Sequence, residues 1–264
     1  DKRSKPAPDV LKEITALVEK GFAEVVLTGI NIGNYACPQT GADLALLCRQ
    51  IAALPGHFRV RFSSIELQTV ADGVVDLMAA RPDRFCNYFH LPLQAGCDSV
   101  LKAMNRHYDT AAYRARVEDL RARVPGISIF ADVIAGFPTE TEADFETTYQ
   151  FIKSVGLCGL HVFSYSPRPG TKAAAWPQLA HEEIKRRSDA LRALDKELRT
   201  RFAASLVGTE QELFMEERKN GLPGGVTANF QYTVLENAPE HLKGLVRAKI
   251  IRADGPVCYG AVTA

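Results

Sequence analysis

The feature that most constrains the fold of this chain is the alternation of two hydrophobic periods along residues 11–165. Segments with apolar residues three or four positions apart predict helices, and the short, continuously apolar runs between them are typical of buried parallel strands. Strands are predicted in this way at residues 25–27, 59–64, 86–91, 127–135 and 159–165. Such alternation predicts an α/β fold with a parallel sheet or barrel, in which ligands bind at the carboxyl ends of the strands.

The order of these elements contains one irregularity. The first predicted element is a helix, with Leu11, Ile14 and Val18 on one face and a stop at Gly21. A parallel α/β domain normally opens with a strand, and this helix needs a strand on which to pack. We therefore expect a fragment of a (β/α) barrel of the TIM type that lacks its first strand.

The pattern changes after residue 165. A loop with two prolines, residues 166–171, precedes a long charged helix from His181 to about Ser205. Helical periods stop beyond Val207, and the remaining residues predict a small all-β barrel. Its strands are predicted at residues 212–217, 226–235 and 245–252, with turns at Asn220-Gly221, Pro223-Gly224-Gly225 and Asp254-Gly255. The predicted division is a partial barrel over 1–178, a connecting helix over 179–205 and the β-barrel over 206–264.

Charge and hydropathy exclude several classes of protein. The 32 Lys and Arg residues nearly balance the 31 Asp and Glu residues, so the net charge of +1 gives no global positive field of the kind that marks a nucleic-acid binder. No apolar run approaches the roughly 18 residues that a membrane-spanning helix needs, and the polar start is unlike a signal peptide. We expect a cytoplasmic protein without a membrane partner.

The six cysteines are scattered along the chain. None forms a C-x-x-C pair, and none lies near a histidine at the spacing of zinc ligands. Neither a disulfide framework nor a metal site is expected, and the thiols are interpreted as buried small hydrophobic groups.

Polar and small residues cluster where the predicted strands end, which is where this fold class places its ligands. The candidate site residues are Thr28, Gly29, Asn31, His90, Gln94, Asp132, Ile134, Gly136, Glu140 and Tyr165. Each has an ordinary structural alternative: glycines suit a plain βα turn, a strand histidine is often a satisfied core residue, and Glu140 complements the dipole of the next helix. The residues alone leave these alternatives open.

Four segments resemble the radical S-adenosylmethionine methylthiotransferases. They are residues 25–35 (VVLTGINIGNY), 90–106 (HLPLQAGCDSVLKAMNR), 132–140 (DVIAGFPTE) and 163–171 (FSYSPRPGT). The carboxyl-terminal β-module resembles the TRAM domain of that family, an RNA-binding barrel, so the resemblance covers nearly the whole chain. The run LTGINIGNY is more similar to the MtaB-type branch, which modifies threonylcarbamoyladenosine in tRNA, than to the MiaB-type branch, which modifies isopentenyladenosine.

The resemblance implies a cofactor and a reaction. In the family, residues 3–6 follow a C-x-x-x-C-x-x-C loop that ligates a four-iron, four-sulfur cluster, and a second cluster lies further upstream. None of the six cysteines here has the spacing to replace those ligands, so no cluster is expected on this chain and the fragment alone is expected to be inactive. The intact enzyme is expected to cleave S-adenosylmethionine reductively and to install a methylthio group at C2 of an adenine beside the anticodon.

The resemblance also assigns roles by position. Thr28, Gly29 and Asn31 are expected at the methionine end of S-adenosylmethionine, and His90 and Gln94 at the mouth of the site. Asp132, Ile134, Gly136 and Glu140 are expected to flank the ribose and adenine, and Tyr165 to lie near the adenine.

The expected macromolecular partner is tRNA, and the β-module bears on this expectation. Residues 207–264 contain six Lys and Arg against seven Asp and Glu, a balance that argues against strong phosphate binding. Lys243, Arg247, Lys249 and Arg252 nevertheless lie two to four residues apart, so several of them are expected on one strand face, where they are the predicted RNA contacts. A solvated strand surface is the alternative.

Other functions stay open at this point. The same family includes enzymes that act on isopentenyladenosine in tRNA or on a ribosomal protein. Outside it, the composition also suits a non-enzymatic RNA-binding scaffold or a barrel enzyme without a cluster.

Overall fold

The computed structural model describes residues 3–219, 222–236, 238–239 and 242–263. Its helices are α1 (Ala7–Glu19), α2 (Leu44–Ala52), α3 (Asp72–Ala80), α4 (Asp98–Ala103), α5 (Thr110–Arg123), α6 (Glu142–Val155) and α7 (His181–Ser205). Its strands are β1 (Glu24–Leu27), β2 (Arg59–Phe62), β3 (Tyr88–His90), β4 (Ser128–Ala135), β5 (Gly159–Ser164), β6 (Glu210–Lys219), β7 (Leu222–Thr227), β8 (Tyr232–Leu235), β9 (Leu245–Asp254) and β10 (Val257–Val262).

The first five strands form the parallel arrangement that the alternating periods predict. β1 pairs with β2, β3 with β4, and β4 with β5, all in parallel. A parallel bridge between Val60 and Phe85 joins β2 to the segment before β3, so the strands stand side by side in chain order. Helices connect successive strands, which confirms the α/β class, and the closed β-barrel after α7 confirms the second part of the prediction.

Local chemistry explains where the helices begin and end. α6 opens with a capping box: the Asp144 amide donates to Thr141 Oγ1, and the Thr141 amide donates to the Asp144 carboxylate. It ends at Gly156, whose φ of +87° is a conformation that glycine adopts without strain. The chain leaves α1 in the same way through Gly21, at φ +88°.

The helix α7 packs against both the parallel strands and the β-module. Its buried face, which includes Leu191 and Leu198, joins the core between the parallel strands and their helices. At its carboxyl end, Ala203 and Leu206 pack against Ile250 of β9 and Cys258 of β10. One continuous helix of 25 residues thus packs at one end against the core of the parallel sheet and at the other against the core of the β-module.

The β-module closes in the strand order β10-β8-β7-β6-β9, and two details of its prediction are wrong. Residues 226–235 are not one strand, because the chain turns between β7 and β8 with Phe230 at a φ of +66°. The Pro223-Gly224-Gly225 segment is not a turn but part of β7, where a Cβ on Gly225 would lie 2.3 Å from the Phe214 carbonyl oxygen. The predicted Asn220-Gly221 turn lies outside the described residues, and β10 was not predicted.

Inside the parallel strands, the side chains turned away from the helices lie in layers, as in closed (β/α) barrels. Contacts between side chains define the first three layers from the amino towards the carboxyl ends, and the pairing of Ile134 with Phe163 defines the fourth. The layers are an ionic one (Glu24, Arg59, Arg61), an aromatic one (Tyr88, Phe130), a polar one (His90, Asp132, His161) and an apolar one (Ile134, Phe163). Polar groups in the third layer therefore have an aromatic layer beneath them and the strand ends above.

The ionic layer attaches the β-module to the amino ends of the strands. Glu24 accepts from Arg59 Nε at 2.7 Å and from Arg61 Nε at 2.9 Å, and the side chain of Arg59 is only 2% exposed. Burial disfavours the charged carboxylate, but the two guanidinium groups outweigh it and lower the pKa of Glu24. The same guanidinium groups donate to four backbone carbonyls of the β-module. These belong to Glu212, Val226, Thr227 and Ala228.

The β7–β8 turn completes this contact by covering the aromatic layer from below. The Phe230 ring lies 4.5 Å from the Tyr88 ring and 5.7 Å from the Phe130 ring, centroid to centroid. The Arg61 guanidinium carbon lies 5.1 Å from the centre of the Phe230 ring, within the range of a cation–π contact. Ser128 Oγ donates to the Asn229 carbonyl at 2.6 Å. We call Tyr88, Phe130 and Phe230 the aromatic floor.

We expect Arg59→Met to destabilise the protein by about 3–5 kcal/mol, the usual cost of removing one partner from a buried ion pair. The substitution leaves the Glu212 and Val226 carbonyls without their donors. The measurement is the free energy of urea unfolding, with Arg49→Met on the exposed face of α2 as the matched control, expected within about 0.5 kcal/mol of wild type. Equal small losses in both variants would contradict this account of the ionic layer.

Candidate functional site

The third layer is a hydrogen-bonded network of two imidazoles and one carboxylate, which we call the polar layer. His90 Nε2 lies 2.8 Å from Asp132 Oδ1, and Nδ1 of the same ring lies 2.9 Å from Ser64 Oγ. His161 Nδ1 lies 3.4 Å from the same carboxylate oxygen, and the two imidazole rings meet edge to face at 4.7 Å. Asp132 therefore joins side chains from three adjacent strands.

The electrostatics of this layer hold a negative charge at its centre. Burial raises the pKa of Asp132, but hydrogen bonds from His161 and His90 outweigh it and the pKa falls to about 2. The ligand-type atoms of the three residues lie within 4.8 Å of one another, an arrangement that can also hold a cation. Sequence spacing did not indicate this cluster, because its three residues are far apart along the chain. The fold brings them together from three strands.

A cavity of about 870 Å³, which we call the upper cavity, lies above the polar layer at the carboxyl ends of β4 and β5. Four predicted site residues line it: Gln94, Asp132, Ile134 and Tyr165. Gln94 adopts a φ of +69°, rare for a residue with a side chain, and is held there by backbone hydrogen bonds with Asp132 and Ile134. Strained backbone of this kind is concentrated at functional sites.

Aromatic rings form one wall of the upper cavity. Phe137 meets Tyr165 and Trp176 edge to face at 5.4 and 5.9 Å, and the Phe163 side chain stands half exposed in the opening. The Tyr165 hydroxyl is buried and has no hydrogen-bond partner in the described part of the chain. A buried hydroxyl without a partner is costly, so this wall suits a flat, heteroatom-bearing ring such as a nucleobase.

Basic side chains also line the upper cavity. Lys102 and Arg106 come from the end of α4 and the loop after it, and Arg168 and Lys172 come from the loop after β5. Arg106 is paired with Glu66 at 3.2 Å, whereas Lys102, Arg168 and Lys172 make no salt bridge within the residues described. The cavity therefore favours a ligand that carries negative charge.

A second cavity of about 750 Å³ lies between α1 and the end of β1, and we call it the α1 cavity. The predicted methionine-end residues Thr28, Gly29 and Asn31 line it, together with Tyr35. Asn31 Oδ1 lies 3.4 Å from Thr69 Oγ1, whose shorter hydrogen bond, at 2.9 Å, is donated to the Glu66 carbonyl. These residues thus share a cavity with one another, but not with the predicted residues of β4 and β5.

Three predicted site residues line neither cavity. His90 lies in the polar layer beneath the upper cavity, where it contacts Asp132. Glu140 is buried, accepts from the Gly136 amide at 2.9 Å and pairs with Arg187 of α7 at 2.8 Å; burial raises its pKa in spite of that partner. Gly136, at φ +78°, faces α7, where a Cβ would lie 2.6 Å from Ile184. Both residues hold α7 against the end of β4, and their place beside the ribose and adenine stays a prediction.

The six cysteines are free thiols and are buried, as expected. They are divided among four clusters of the core, with two cysteines at most in any one of them, and the one described group of three or more possible metal ligands contains no cysteine. The described residues therefore do not fit an iron–sulfur cluster, which needs several thiolates at one place.

The predicted RNA contacts lie on and beside β9. Arg247 and Lys249 are exposed and alternate with the buried Ala248 and Ile250, so they share the outer face of the strand. On the neighbouring β6, Glu212 and Glu210 stand directly opposite these two basic residues. Arg252 pairs with Glu236 at 2.5 Å and stacks over Tyr259, whereas Lys243 is exposed in the loop before β9.

Three parts of the site were not predicted from the sequence: His161, the Arg187 partner of Glu140, and the basic residues Lys102, Arg106 and Lys172 of the upper cavity. A signal for His161 existed, because His161, Phe163 and Tyr165 occupy alternate positions of one predicted strand. Its contact with Asp132 depends on the β4–β5 register, which pairs these two residues directly.

Comparison with known proteins gives a family match over more than half of the chain. The family model described as the radical SAM superfamily matches residues 1–152. The threonylcarbamoyladenosine tRNA methylthiotransferase MtaB of Bacillus subtilis (strain 168) is 34% identical, over 98% of this chain and 58% of that protein. MtaB of Thermotoga maritima is 38% identical over 81% and 49%. A tRNA-2-methylthio-N(6)-dimethylallyladenosine synthase of Endomicrobium trichonymphae is 33% identical over 96% and 60%.

The chain thus spans about half the length of the curated relatives it matches. Among solved structures, the radical S-adenosylmethionine methyltransferase TsrM from Kitasatospora setae matches with a TM-score of 0.52 at 16% identity, over 64% of this chain and 33% of that one. This likeness supports the fold alone. In the described residues, no helix is long and apolar enough to cross a membrane.

We expect Asp132→Asn to lower stability at neutral pH, and the loss to disappear in acid. Because the pKa of Asp132 in the folded protein is about 2, below its ordinary value, its charge contributes stability above about pH 4 that is lost as the pH falls towards 2. The measurement is the difference in the free energy of unfolding between wild type and variant from pH 5 to pH 2. A difference that stays constant over this range would contradict the assignment.

Proposed function

Since this chain belongs to the radical SAM superfamily, we propose that its protein transfers a methylthio group to C2 of an N6-modified adenosine in tRNA. The observation that carries the proposal is the extent of the similarity to MtaB of Bacillus subtilis, which runs over 98% of the chain. That match includes the β-module as well as the parallel barrel. The chain covers 58% of that relative, so the activity of the whole protein is part of the proposal.

We propose that S-adenosylmethionine binds across the carboxyl ends of the strands. Its adenosine suits the upper cavity, where the aromatic wall matches a nucleobase, as does the Tyr165 hydroxyl, which has no partner among the described residues. Its methionine end is assigned to the α1 cavity, where Thr28 and Asn31 offer polar groups. When bound, this cofactor supplies a methyl group and the radical chemistry of the superfamily.

The residues of this chain bind, orient and exclude water. The upper cavity opens at the strand ends, and the aromatic floor lies beneath the polar layer, so a bound nucleoside is enclosed from below. Such enclosure protects a reactive intermediate from solvent. The described residues of this chain do not fit an iron–sulfur cluster, so their part in the reaction is limited to binding and enclosing the ligands.

The finer choice of substrate is also proposed. Relatives named for threonylcarbamoyladenosine and for dimethylallyladenosine match the chain with similar identities, 34–38% and 33–39%. We favour threonylcarbamoyladenosine because the upper cavity is basic, and the threonylcarbamoyl group carries a carboxylate whereas the dimethylallyl group is apolar. The dimethylallyl substrate is the alternative outcome of the test below.

The β-module is proposed to position tRNA through Lys243, Arg247 and Lys249. These side chains are exposed, whereas Arg252 is engaged by Glu236. Because Glu210 and Glu212 stand opposite the two strand residues, we expect a modest contribution to phosphate binding, without base readout. The proposed place of action is the cytoplasm, where tRNA is modified.

The test is production of the full-length protein in a bacterial strain whose tRNA lacks 2-methylthio groups, followed by mass spectrometry of tRNA nucleosides. We expect 2-methylthio-threonylcarbamoyladenosine to appear in the tRNA of this strain. It is expected to be absent from the same strain carrying the vector without the gene. Exclusive appearance of the methylthiolated dimethylallyl nucleoside would correct the substrate. No methylthiolated nucleoside in tRNA, from a protein that is folded and loaded with iron and sulfide, would contradict the proposed function.

A further inference from the structure

We propose that the polar layer binds the N6 substituent of the target adenosine, and that His161 selects a polar, hydrogen-bonding substituent over an apolar one. This inference rests on the proposed function and adds the residue that decides the substrate.

The polar layer lies at the bottom of the space that a ligand can enter from the carboxyl ends of the strands. Asp132 belongs both to this layer and to the lining of the upper cavity, so the two are continuous. Beneath it, the Phe130 ring lies 6.4 Å from the His161 ring, and Phe230 closes the space under Phe130. We place the target base in the upper cavity of about 870 Å³ together with the adenosine of the cofactor, so a substituent that extends downward from the target base ends at the polar layer.

The members of the layer differ in how much hydrogen-bonding capacity they have left. Both ring nitrogens of His90 are engaged, one by Ser64 and one by Asp132. His161 contacts Asp132 through Nδ1, while its Nε2 has no hydrogen-bond partner within the described residues. The side chain of His161 is also the most accessible of the three, at 37% exposed against 13% for His90 and 19% for Asp132. A ligand thus finds its free partner at His161.

The two candidate N6 substituents differ in whether they can form a hydrogen bond with His161 Nε2. A threonylcarbamoyl group has N–H and hydroxyl donors as well as carbonyl and carboxylate acceptors, so Nε2 finds a partner whether or not it carries a proton. A dimethylallyl group offers none, and would cover His161 and Asp132 while leaving them unpaired. Sites that are built to bind polar groups reject analogues that lack them far more strongly than apolar pockets reject an added polar group.

The basic side chains of the upper cavity also favour the threonylcarbamoyl group. Lys102, Arg168 and Lys172 line the upper cavity without a salt-bridge partner in the described part of the chain. They favour entry of a substituent with a carboxylate, and they offset the negative charge of Asp132 on the path. The cations attract the anion, and His161 distinguishes the polar substituent at close range.

The experiment measures binding, so that it does not depend on turnover. The full-length protein is titrated with two anticodon stem-loop RNAs that differ only in the N6 group, one threonylcarbamoyl and one dimethylallyl. We expect wild type to prefer the threonylcarbamoyl RNA, and His161→Leu to reduce that preference by roughly tenfold or more, mainly by weakening the polar ligand. His161→Gln, which keeps a hydrogen-bonding group, is expected to restore part of it.

The matched control is His107→Leu, because His107 is an exposed histidine in the loop after α4. It is expected to leave both affinities unchanged. No preference in wild type, or equal loss on both RNAs in His161→Leu, would overturn the proposal. So would a divalent cation, tested with Co²⁺ alone, that binds wild type stoichiometrically and is lost in His161→Leu, because the layer would then be a metal site. A failure of the methylthiolation assay with this preference intact would count against the reaction and not against His161.

Discussion

One buried carboxylate, Glu24, sets the geometry on which the rest of the structure depends. It is shared by Arg59 and Arg61, and these guanidinium groups extend past it to the carbonyls of the β-module. A buried charge of this kind is tolerated only when all of its partners are in place, so the contact specifies one orientation of the β-module against the parallel strands. The helix α7 supports the same orientation from the side, through one continuous core.

This attachment has a consequence for the distant site. The β7–β8 turn lies at the amino ends of the strands, whereas the upper cavity lies at their carboxyl ends. The turn nevertheless takes part in the site, because Phe230 supports the aromatic layer on which the polar layer rests. A module that resembles an RNA-binding barrel thereby also forms the floor of the reaction chamber that we propose.

Much of the architecture could be predicted from the sequence, because helices and buried strands have different hydrophobic periods. The long helix after residue 180 and the carboxyl-terminal barrel were predicted for the same reason. Residues at the ends of neighbouring strands, such as Gln94, Asp132 and Tyr165, do line one cavity. The sequence could not predict contacts that require a partner from a distant segment. Gly136 and Glu140 follow a strand end, as ligand-binding residues of this fold class do, and their contacts with Ile184 and Arg187 of α7 became visible only in the structure.

The most direct test of the central claim, that the ionic layer makes the two barrels one cooperative body, uses the single tryptophan of the chain. Trp176 lies at the upper cavity, at the end of the strands opposite the β-module. Its fluorescence is followed through urea unfolding together with hydrogen exchange of peptides from β9 and β10, read by mass spectrometry. The account predicts one coincident midpoint for both probes. Loss of protection in β9 and β10 at a urea concentration where Trp176 is still native would contradict it.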